Sequence, residues 1–177
     1  MRYQEFQNNL KPAIPYVYLY DVGGGQSIDG SYLTWDTIKT ITSHFHYTKD
    51  NDRIQLKMNS SGLFRVVYET SLYTTIAGAV AYFDIYKNGT IVEGSRTYIS
   101  VINYGTGSSY SQSGIITCVV FLEKGDYIQI KGDVVGGYEV TPLTIANTSR
   151  LLINFINMKG WNNSAGGRED DKGGISR

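Results

Sequence analysis

From Tyr32 to Met158, apolar and polar residues alternate in short runs broken by glycine, asparagine and aspartate, and no stretch holds a 3.6-residue period. Successive side chains of a strand point to opposite faces, so this alternation describes strands with one dry and one wet side. In RIQLKM, Ile54, Leu56 and Met58 share a face against Arg53, Gln55 and Lys57. In GLFRVVYETSL, Phe64, Val66, Tyr68 and Leu72 oppose Arg65 and Glu69. AVAYFDIYKNGTIV sets Ala81, Phe83 and Ile85 against Tyr82, Asp84 and Tyr86, and Asn88-Gly89 predicts a hairpin over 80–93, since both residues accept the positive φ of a tight turn. TYISVINY (97–104), IITCVVFL (115–122), DYIQIKG (126–132) and RLLINFIN (150–157) continue the series. The last is apolar on both faces, as a covered central strand would be. About eight strands separated by turn signals predict an all-β chain, an antiparallel β-sandwich or jelly roll.

Composition fits that class. The 20 Gly and 15 Tyr favour strands and tight turns over helices. Residues 34–158 are expected to form the head. Residues 1–33 read as an N-terminal arm and linker, because Pro12 and Pro15 permit at most a short edge strand in PAIPYVYLYDV, and GGGQSIDGS reads as flexible. Residues 159–177 are polar and glycine-rich and read as a flexible tail. The charges balance, 16 basic against 16 acidic, so no net field favours nucleic acid or an anionic membrane. No apolar run reaches the roughly 18 residues that would span a bilayer. The N-terminus lacks the apolar core of a secretory signal, so synthesis in a cytoplasm is expected. Cys118, inside GIITCVVFL, is read as a small core residue.

Lys-Gly-Asp occurs twice, at 124–126 and 131–133. The triplet can be an adhesive ligand, but here the first copy is expected to turn a tight hairpin between 115–122 and 126–132, and the second to close the latter strand. Gly62-Leu63-Phe64, Lys87-Asn88-Gly89, Leu122-Glu123-Lys124-Gly125-Asp126 and Leu151 to Phe155 follow one another in an order that resembles the globular head shared by complement C-one-q and the tumour necrosis factor superfamily. The resemblance covers roughly residues 50–157. It implies a jelly roll of about ten strands that packs as a homotrimer about a threefold axis. Two departures stand out: Asn154 occupies a place where the family prefers a small or apolar residue, and no Gly-X-Y stalk precedes the head. A role in complement or cytokine signalling is not implied.

The sequence contains no phosphate loop, dinucleotide fingerprint, paired-cysteine zinc pattern or nucleophile elbow, so neither an enzyme nor a cofactor is expected. His44 and His46 fall on one face of a strand and are the closest candidates for a metal, with a hydrogen-bonded surface pair the simpler expectation. Asp50 and Asp52 beside Asn51 offer oxygen ligands but lack the spacing of a calcium loop, which predicts a solvated turn. Tyr73, Tyr104, Tyr110 and Tyr138 lie in expected outward loops and are candidate trimer or receptor contacts, tyrosine being a rigid amphipathic contact residue. A recognition-type head made without a secretory signal predicts a structural virion protein at the virion surface, as spike, fibre head or capsid subunit. The N-terminal arm would join it to other virion or capsid proteins, and its loops would meet a host receptor or glycan. The alternative is an adhesive or ligand-binding head of a bacterial surface or spore-coat layer.

Overall fold

The computed structural model describes residues 14–57, 61–74, 78–102, 111–136 and 140–158. Among them the chain forms β1 (Tyr16–Asp21), β2 (Thr37–Ile41), β3 (Phe45–Thr48), β4 (Arg53–Leu56), β5 (Gly62–Tyr73), β6 (Ala79–Lys87), β7 (Thr90–Ile91), β8 (Thr97–Val101), β9 (Gln112–Leu122), β10 (Tyr127–Val134), β11 (Leu143–Thr144) and β12 (Ser149–Met158). The first sheet runs β11-β5-β12-β1-β2, with β9 along the other edge of β5. The second runs β3-β4-β10-β6-β7, with β8 also on β6. The strand pairings are antiparallel, as the alternating sequence requires of sheets with one wet face.

The period-2 rows expected from sequence form the core. Phe64, Val66, Tyr68 and Leu72 of β5 face Ala81, Phe83 and Ile85 of β6, joined by Ile128 and Ile130 of β10 and by Leu151 and Ile153 of β12. Aromatic rings meet edge-on or tilted: Phe45 to Phe64 at 5.6 Å and Tyr68 to Phe83 at 5.3 Å bridge the layers, and Phe64 to Phe155 at 5.5 Å packs within the first sheet. These offset geometries suit the ring quadrupoles and add to area burial. The hairpin at Asn88-Gly89 forms with φ of 52° and 78°.

Three expectations give way. Residues 14–33 are not an arm. β1 lies between β12 and β2, and Val17 and Leu19 are fully buried, as is Ile28 in the supposed linker. Pro15 ends just before the pairing, so its missing N–H removes no ladder bond within β1. The glycines hold a fixed turn: Gly24 and Gly25 take φ of 64° and 73°, and Gly25 N–H donates to Thr144 O at 2.8 Å.

The first Lys-Gly-Asp is a turn, with Gly125 at φ 94°, but it does not close a hairpin. β9 belongs to the first sheet and β10 to the second, so the turn carries the chain across the sandwich. Alternation fixes which face is buried, not which strand is the partner. The second triplet lies inside β10, where Gly132 makes room for the core. A Cβ there would stand 2.6 Å from the Phe83 ring and 3.1 Å from Ile28.

Candidate functional site

Two of the motif segments that suggested the fold touch one another. Asp126 Oδ2 accepts from Glu123 N–H and pairs with Lys87 Nζ, both at 2.8 Å, while Asp126 Oδ1 accepts from Asn88 Nδ2 at 2.6 Å. Asn88 Oδ1 accepts from Tyr127 N–H at 2.9 Å, and Lys87 Nζ donates to Phe121 O at 2.8 Å. Burial pushes the Asp126 carboxyl up, but Lys87, the Glu123 amide and Asn88 outweigh it and hold the pKa below its ordinary value. The cluster is a clasp between the β6–β7 and β9–β10 turns.

The feature with the character of an interface is the outer face of the first sheet. Its middle row reads Thr117, Val67, Leu152 and Tyr18 across four strands. One flanking row is Val119, Arg65, Asn154 and Tyr16; the other is Ile115, Glu69, Arg150 and Tyr20. Ile115 and Val119 are 58% and 55% exposed, and Leu63 and Ile156 also lie open. The charged members are tied within the face. Arg150 grips both Glu69 oxygens at 2.8 and 2.9 Å, and Arg65 Nε donates to Asn154 Oδ1 at 3.1 Å. The Tyr18 and Tyr20 rings stand 4.6 Å apart, and the hydrogen bond between them lowers the pKa of Tyr18 and raises that of Tyr20. Contiguous exposed apolar area rimmed by satisfied polar groups is what a protein partner covers.

The outer face of the second sheet is polar. The buried Asp84 takes a two-pronged contact from Arg96 at 3.0 and 2.6 Å, and the Arg96 guanidinium lies 4.2 Å over the Tyr82 ring. Tyr82 donates its hydroxyl to Asp133 Oδ2 at 3.2 Å, and burial, then that contact, raise its pKa. Tyr98 packs 6.0 Å from Tyr82 and is widely exposed.

Of the residues singled out from sequence, Tyr73 is half-buried at the end of β5, paired with Leu143. Tyr104, Tyr110 and Tyr138 lie outside the described residues, as does the 159–177 segment. His46 is exposed on β3 and His44 half-buried just before it, and no group of three or more His, Cys, Asp or Glu side chains gathers among the described residues. Cys118 faces the core and packs against it; burial pushes its thiol up to about 11. Ile115, Val119 and Leu152 are contact candidates that sequence reasoning missed. The signal for them was that IITCVVFL and RLLINFIN are apolar on both faces, which asks for a second buried surface beyond the core.

No family model matches the chain, and no curated protein matches it in sequence. In fold it is similar to the structure of Eiger TNF from S. frugiperda, with a TM-score of 0.56 over 84% of this chain and 96% of that one, at 10% sequence identity. The head is a tumour necrosis factor-like jelly roll.

Proposed function

We propose that this chain is a self-associating structural head that assembles as a homotrimer through the outer face of its first sheet. The observation that carries the reading is the outer face of β9, β5, β12 and β1, where Ile115 and Val119 are exposed beside half-buried Val67, Leu152 and Tyr18, while Glu69 pairs with Arg150 and Arg65 is hydrogen-bonded to Asn154. Self-association also fits a tumour necrosis factor-like fold, which is commonly trimeric. A stable contact needs roughly 800 Å² per partner, which a face four strands wide can supply.

The finer reading is a particle subunit: a structural virion protein displayed at the virion surface, acting by assembly and binding rather than catalysis. Jelly rolls recur as capsid and lectin domains, which supports a structural role of this kind. The anchor to other particle proteins is assigned to residues before β1, because the chain from Tyr16 onward is built into the sheet.

At tens of micromolar, the chain is expected to run at three times its 19.7 kDa mass in light scattering. The double variant Ile115→Lys with Val119→Lys, at open positions, should fall to the single-chain mass with unchanged circular dichroism. A wild-type chain that stays monomeric defeats the assembly reading. Sedimentation of expressed protein away from virions would defeat the particle reading alone.

A further inference from the structure

We propose that the groove on the outer face of the second sheet, between the 50–52 turn and the 30–32 segment, binds a neutral saccharide. The groove is open to solvent with a volume of about 570 Å³, and Tyr32, Tyr127, Asp50, Asp52, Arg53 and Gln129 contribute to its lining.

Its walls are held before any ligand arrives. Gln129, almost fully buried, donates from Nε2 to Asn51 O at 2.7 Å and so straps the 50–52 turn to β10. Asp52 sits at φ 52° and accepts from the Tyr47 hydroxyl at 3.1 Å. The opposite wall is stitched to β10 by Leu33 N–H to Ile130 O and Gly30 N–H to Gly132 O, both 2.9 Å, and the Tyr32 ring stands edge-on to Tyr86 at 5.6 Å. The Arg53 guanidinium lies 4.2 Å over the Tyr127 ring. At the rim, Gly89 leaves space beside the Tyr127 hydroxyl that a side chain would enter.

The chemistry selects the ligand class. A carboxylate presents two adjacent acceptors and a guanidinium adjacent donors, a match for neighbouring hydroxyls on a ring. The tyrosines add flat amphipathic surfaces for the C–H faces of a sugar. Asp50 makes no hydrogen bond or ion pair among the described residues and is exposed, so its oxygens are open to a ligand. Asp50 and Asp52 against Arg53, with Lys49 beside Asp52, leave the groove without the surplus of positive charge that phosphate, sulfate or acidic sugars need. The polar lining disfavours a purely apolar guest.

The test uses the full chain, with saturation-transfer NMR and calorimetry against the methyl glycosides of glucose, galactose and N-acetylglucosamine and their β-linked disaccharides. At least one should bind with a dissociation constant of about 1 mM or below, and Asp50→Ala and Tyr32→Ala should each weaken it about tenfold, the loss expected for one or two contacts. Both variants must keep the wild-type circular dichroism and mass. The proposal is overturned if no sugar binds at 20-fold that concentration, roughly 20 mM, or if binding survives both substitutions. It is also overturned if calcium chloride alone binds in an Asp50-dependent way while the sugars do not. Because the groove is on the sheet opposite the assembling face, a monomeric chain that binds sugar would defeat the assembly reading and leave this one standing.

Discussion

Replacing Gly24 with alanine is expected to destabilise the head by about 3–5 kcal/mol, combining left-handed backbone strain with a steric clash. A Cβ at this position would stand 2.4 Å from Ala146 N, 2.7 Å from Ala146 Cα and 2.8 Å from Ile145 C, and backbone cannot swing aside as a side-chain tip can. The turn it occupies is cross-tied: Gly24 N–H donates to Asp21 Oδ1 at 3.0 Å, and the Val22 and Gly23 amides donate to the two oxygens of Asp36 at 2.9 and 2.8 Å. Moving the backbone to relieve the clash therefore disturbs bonds to both carboxylates. Gly25 supplies the control. Its φ is also positive but a Cβ there meets nothing within 4 Å, so Gly25→Ala should cost only about 1–2 kcal/mol of strain. Urea denaturation of the two variants separates clash from strain; equal midpoints would show that the close approach to Ala146 is not what fixes glycine at 24.

Removing the Asp126 carboxylate is the second large change. Asp126→Ala takes the acceptor from Lys87, Asn88 and the Glu123 amide together. Charge-assisted bonds are individually strong, but this carboxylate is partly solvated, so the expected loss is about 2–3 kcal/mol rather than the sum of three full contacts. Its pH dependence identifies the cause. The folded-state pKa lies below the ordinary one, so in that interval the unfolded chain binds more protons and stability rises with pH. The contribution is complete above the unfolded value of about 3.9 and is lost as pH falls through the folded value. Thermal melts of wild type and Asp126→Ala should differ most near neutrality and converge in acid. A gap that stays constant down to the acid limit would assign the loss to packing instead.

What sequence could show follows from which physics is local. The inward residues of β4, β5, β6 and β10 were legible because alternation reports burial residue by residue, and Asn88-Gly89 because its turn geometry needs only two residues. The place of β1 was not legible: YVYLYD alternates, yet two nearby prolines and the following glycines carry the composition of a linker. Those glycines are conformational requirements of one turn against residues 144–147, a contact more than a hundred positions away. Partner choice at 121–126 failed for the same reason, since a turn sequence does not say whether the next strand stays in the sheet or crosses to the other. The assembling face was half legible, through two strands apolar on both sides, but only the register sets Tyr18, Leu152, Val67 and Thr117 in one row.

The position of β1 also constrains the order of events during synthesis. Tyr16 pairs with Asn154 and Asp21 with Ser149, so β1 finds this neighbour only when β12 emerges. Until then β1 lacks that neighbour, and β5, paired with β9 on one side, has its other edge open along Gly62–Glu69. Unpaired strand edges of this kind are templates for wrong pairing. The first sheet is thus sealed by its C-terminal strand, and nascent chains arrested before Ser149 should remain open to protease where released full-length chains are not.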